Sequence, residues 1–105
     1  MPSTDHQAIE FYMQSVHFEA QAPVCTAHFP AMALPLRDAY LTWRSANAEA
    51  LRQGAAEAAN KGMTGPRPPS LSQMAGMQAQ MLESLPSDDM QRRCSELLAS
   101  VAPQK

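Results

Sequence analysis

The sequence predicts an all-α fold, a compact bundle of four main helices plus a short helical turn. Three observations carry this reading. Helix-forming residues dominate and β-branched ones are few. Apolar residues recur at three- and four-residue spacing in separate stretches. Glycine and proline gather at a handful of positions suited to short connections. Of the 105 residues, 47 are hydrophobic, but 18 of these are alanine and 2 cysteine, which leaves 27 side chains able to fill a core. That is enough for one domain over 1–105, with an ordered core of about 4–101.

The first helix is expected from Thr4 to about Ala20. Thr4 and Gln7 have capping-box spacing, and Ile9, Tyr12, Met13, Val16 and Ala20 form an inner stripe. Phe11 and Phe18, seven residues apart, fall on the opposite side. They either pack under the following segment or belong to an exposed patch used in association. That segment, Pro23 to Pro30, reads as a short helical turn with Pro23 at its first position. A second long helix is expected to start near Pro30 or Pro35 and to reach Asn60, with Gly62 as its stop. Leu36, Tyr40, Trp43, Asn47, Leu51, Gly54 and Ala58 share one of its faces. Asn47 therefore needs a hydrogen-bond partner, and Gly54 invites close approach of another backbone. Residues 62–70 form the loop, where Pro66-Arg67-Pro68-Pro69 also satisfies a PxxP spacing and reads as a connector. Ser70 and Gln73 repeat the capping-box spacing ahead of a third helix, which presents Leu71, Met74, Met77, Met81, Leu82 and Leu85 within one arc. Ser87 is expected to cap the fourth, with Asp88 and Asp89 in its first turn and a stripe of Met90, Cys94, Leu97, Leu98 and Val101.

The charge balance argues against nucleic acid as a partner. Ten acidic residues face eight basic ones, so the chain lacks the concentrated positive charge that phosphate backbones demand. No window approaches the length of a membrane span, so no membrane insertion is expected. Glycine-rich phosphate loops, paired-cysteine zinc motifs and nucleophile elbows are all missing from the sequence, and no enzyme activity or cofactor is expected.

Two groups of residues remain. Cys25 and Cys94 both point inward in this reading. They are either a disulfide, which would stabilise by about 4 kcal/mol and imply an oxidising compartment, or two buried thiols of a cytoplasmic protein. A bridge would also imply export, with a signal peptide removed and Met1 not native to the mature chain. The second group is the methionines, 8 in all. Met74, Met77 and Met81 on one helix face suit core packing, an adaptable protein-binding surface, or copper(I) held by thioethers. Cys25-x-x-His28 with His17 adds soft and borderline donors, so a metal set of His17, Cys25, His28 and Met77 is the alternative to protein binding.

Cys25-x3-Phe29-Pro30, then Leu36, Ala39-Tyr40, Trp43 and Asn47, with Cys94 ahead of Leu97-Leu98, resembles a pattern among small uncharacterised exported all-helical proteins of proteobacteria. It covers Cys25 to Val101. Pro35 within the second helix and the missing leader depart from it. The resemblance implies a periplasmic bundle closed by the cysteine pair, and it implies no activity. The expected function is therefore a small non-enzymatic protein-binding module of the bacterial envelope, of inhibitor, immunity or chaperone type. It would engage another protein, or a second copy as a homodimer, through Phe11, Phe18, Met74, Met77 and Met81. The expected location is periplasmic or secreted, with the cytoplasm as the alternative, and the competing function is periplasmic copper binding.

Overall fold

A computed structural model describes residues 4–65 and 70–102, with side chains from residue 7 onward. Every regular element among these residues is helical: α1 (Thr4–His28), a 3-10 turn (Pro30–Met32), α2 (Ala33–Ala46), α3 (Ala48–Asn60), α4 (Leu71–Glu83) and α5 (Ser87–Val101). The all-α bundle stands, closed by a bond between Cys25 and Cys94. The expected Thr4 cap and the Pro66–Pro69 connector lie outside what is described.

Three boundaries differ from expectation, each for a local reason. First, α1 does not stop at Ala20 but runs 25 residues straight through Pro23. An interior proline removes a ladder hydrogen bond and crowds the preceding turn, at about 3 kcal/mol. Burial of Phe18 before it and Cys25 after it offsets that cost, and the amide of Phe29 closes on the carbonyl of Cys25 at 2.7 Å. Second, the long second helix breaks at Asn47, whose φ of −121° and ψ of 23° leave the helical region. Its Nδ2 donates to the carbonyl of Trp43 at 2.8 Å, so the polar residue expected to need a partner finds it four residues back, on the carbonyl that also accepts its own amide at 3.1 Å. Third, α5 begins at Ser87 itself, with Pro86 as its cap and no side-chain cap bond.

Other signals hold as read. Ser70 and Gln73 form a reciprocal capping box. Gly62, at φ +74°, ends α3; its amide reaches the carbonyl of Ala59 and that of Met63 reaches Ala58, satisfying two terminal acceptors. Pro35 causes no strain because it sits in the first turn of α2, where amides have no partner within the helix.

α1 is the axis of the molecule. It touches α3 and α4 over long stretches and α2, α5 and the 3-10 turn over shorter ones. Surrounded in this way, it has no single inner stripe: Ala8, Ile9, Ser15, Phe18 and Cys25 are buried, while Tyr12, Met13, Val16 and Ala20 are half-buried. Its N-terminal half meets α3 through small residues. An added Cβ on Gly54 would lie 2.0 Å from the carbonyl oxygen of Ala8, so the two backbones are in contact. Its C-terminal half meets a bulkier cluster of Phe18, Leu36, Tyr40, Leu82, Met90 and Val101 around the bridge. Phe18 stacks on Tyr40 at 4.2 Å between ring centroids, and Tyr40 on Trp43 at 5.8 Å.

Two tests follow from this packing. Gly54→Ala must push two backbones apart and is expected to cost about 3 kcal/mol in urea unfolding. Gly76→Ala meets nothing within 4 Å and is expected to leave stability unchanged or raise it by up to about 1 kcal/mol; equal effects would refute the close-contact account. Cys25 and Cys94 are 69 residues apart and 0% exposed. Replacing both with alanine is expected to cost about 4 kcal/mol, and dithiothreitol is expected to reduce the bridge only once the chain is unfolded.

Candidate functional site

The residues with candidate roles fall into three places. Cys25 cannot serve as a thiolate ligand, because its sulfur is bonded to that of Cys94 at 2.11 Å. His17 and His28 lie 11 residues apart on α1, about 16 Å along the axis at 1.5 Å per residue, too far for one ion. His28 instead approaches Glu83 at 3.5 Å across the ends of α1 and α4. Among the described residues, no three His, Cys, Asp or Glu side chains gather where they could hold a metal. The set of His17, Cys25, His28 and Met77 is thus not assembled, since helical order spreads the first three along one rod and oxidation removes the central donor.

The second place is the aromatic ladder. Phe18 was a candidate contact for a partner but is 3% exposed and lies in the core against Tyr40. Phe11 is half-buried and leans on Trp43, with centroids 6.0 Å apart. Their seven-residue spacing put them on one side of α1, and the continuous helix turns that side toward α2. The hydroxyl of Tyr40 donates to Glu19, which also accepts from Arg44 at 3.0 Å. Burial, and then the bond to Glu19, push the Tyr40 phenol up to about 12. A phenol held this far above neutrality stays protonated and acts as a structural donor.

The third place is α4. Leu71, Ala75 and Leu82 are buried against α1, but Met74, Met77 and Met81 are 40%, 63% and 66% exposed. The arc that holds all six apolar residues is wider than the core can cover, so its Leu71–Leu82 edge goes in and its methionine edge stays out. From Ser70 to Leu82 the chain carries no charged residue. Met74, Met77 and Met81 fall at i, i+3 and i+7 and form one apolar track, while Leu85, past the end of α4, packs against the core. The track borders a groove of about 420 Å³ between α1, α4 and α5, lined by Gln21, Gln78, Met81, Leu82, Ser84, Leu85 and Arg93. Gln21 and Arg93 had no sequence signal, since nothing in local spacing brings α1 and α5 to the flank of α4. Leu34 and Leu41, seven residues apart on α2, are also exposed, beside an Arg37–Asp38 ion pair.

No protein-family model, curated protein or solved structure matches this chain. Among the described residues, no helix is long and apolar enough to cross a membrane.

The shifted phenol fixes a pH dependence. In the unfolded chain the tyrosine loses its proton near 10, whereas the folded state keeps it to about 12. Between these values the folded state binds more protons, so stability is fully present below pH 10 and declines as pH rises through 12. Tyr40→Phe is expected to flatten this decline in alkaline urea titrations; an unchanged slope would remove Tyr40 as its source.

Proposed function

We propose that the protein is a small non-enzymatic binding module whose contact surface is the methionine face of α4. One observation carries the reading: three large apolar side chains stand 40% to 66% exposed along a helix free of charge from Ser70 to Leu82. A surface helix that served only to cover the core would place polar or charged groups there, because a contiguous apolar patch left in water favours association. Methionine suits such a surface, since its unbranched, polarizable side chain adapts to a partner's shape. The track of residues 74, 77 and 81 has the spacing by which helices pack in grooves, which makes an amphipathic helix of another protein the natural occupant. Phe18 lies in the core and is no part of this surface, and Phe11 is half-buried against Trp43.

We place this role in an oxidising compartment of the bacterial envelope. A buried bridge between distant positions supports that reading, because such bonds persist where thiols are not kept reduced. Inhibition, immunity or chaperoning would each use such a surface.

A photo-cross-linking residue at Met77 is expected to give one discrete adduct in living cells, and the same residue at Ser95, exposed on α5, none. Equal labelling from both positions, or no adduct from Met77, would overturn the assignment of α4 as the contact face.

A further inference from the structure

Resting on the reading of α4 as a contact face, we infer that the groove between α1, α4 and α5 selects an amphipathic helix carrying a carboxylate beside its apolar stripe, and that Arg93 reads it. The apolar side of the match is set by Met74, Met77 and Met81, a track of about 10 Å along the axis of α4, which meets the groove at Met81, beside Leu82 and Leu85. That length fits about two turns of a facing helix. The electrostatic side is set by a single charge. Gln21, Gln78 and Ser84 are neutral, and Arg93 is the only ionised residue lining the groove. The other arginines of the described chain are spoken for: Arg92 by Asp89 at 2.8 Å, Arg44 by Glu19 at 3.0 Å, Arg37 by Asp38 at 3.1 Å and Arg52 by Glu49. Arg93 makes no ion pair or side-chain hydrogen bond among the described residues. Its guanidinium is therefore available at the edge of the apolar track, where a carboxylate is favoured and an ammonium repelled.

The same charges argue against two other occupants. An anionic lipid surface calls for a cluster of cations, and the groove has one. A second copy docking α4 against α4 would bring a stripe with no carboxylate, since Glu83 already approaches His28, and would leave both arginines unanswered. The arrangement fits a foreign helix with an acidic residue flanking leucine- or methionine-like anchors.

The test uses two fluorescein-labelled synthetic amphipathic peptides of about 18 residues, five helical turns, identical except that the residues flanking the apolar stripe are Glu in one and Lys in the other. Binding to the oxidised full chain is read by fluorescence anisotropy, and the fold of each variant by circular dichroism. The Glu peptide is expected to bind about tenfold tighter than the Lys peptide, and Arg93→Glu to invert the order. The double variant Met77→Ser with Met81→Ser is expected to weaken both peptides by about tenfold or more. Equal affinity of the two peptides, or an order unchanged in Arg93→Glu, overturns the role of Arg93 while leaving the methionine face in place. Failure of either peptide to bind, or binding indifferent to the methionine variant, overturns both readings. A dimer of the chain alone in ultracentrifugation, lost in the methionine variant, assigns the groove to a second copy and overturns the foreign helix.

Discussion

The Cys25–Cys94 bond is the constraint on which the arrangement of helices depends. α3 and α4 lie along α1 over most of their lengths, but α5 meets α1, α2 and α4 only over short stretches. Chain connectivity to α5 runs through the three residues Ser84, Leu85 and Pro86. The bond anchors α5 to the C-terminal half of α1 at a point where both sulfurs are fully enclosed, and Leu36, Tyr40, Leu82, Met90 and Val101 pack around it. It also holds the part of α1 that follows Pro23, where the helix is weakest for lack of a donor. With α5 fixed, Arg93 is carried to the rim of the groove beside α4. The candidate site is therefore a consequence of the bridge as much as of α4.

The distribution of side-chain volume explains why methionines are left outside. Twenty-seven large apolar residues cannot fill a wide interior at every level. The N-terminal half of α1 solves this by removing the space: Gly54 and Ala58 on α3 let its backbone touch that of Ala8, and little bulk is needed between them. The C-terminal half uses its large residues around the bridge and the Phe18–Tyr40–Trp43 stack. Once those positions are filled, α4 needs only Leu71, Ala75 and Leu82 to seal its contact with α1. Its methionine edge is left exposed.

Local signals were legible where one residue acts through its own backbone. The capping box at Ser70, the positive φ at Gly62, the contact at Gly54 and the demand of Asn47 for a partner all rest on interactions within a few residues or on the lack of a side chain. The failures are of another kind. Pro23 was read as the start of a turn, because propensity opposes a proline inside a helix; burial on both sides outweighed it. Phe18 lies off the single inner stripe that periodicity gives α1, which leaves burial or exposure open; an axial helix has neighbours on several sides, and Phe18 is buried against Tyr40. The soft-ligand set around Cys25 is chemically sensible but is not brought together, since residues 17, 25 and 28 are spread along one helix and Cys25 is bonded to Cys94.

By itself, the sequence determined that the chain is helical, where several helices begin and end, and that α3 carries a small-residue face. These properties follow from propensity, capping and periodicity, all of which act over four residues or fewer. Tertiary structure decided which part of each apolar arc is covered. A helical wheel gives the order of residues around an axis but not the positions of its neighbours, so Met74 and Leu71 look alike until α1 is seen to lie against one edge of α4 and not the other. The same holds for Arg93, an ordinary surface charge in the sequence. Its place beside an apolar track depends on α5 being packed there, next to the bond between residues 25 and 94.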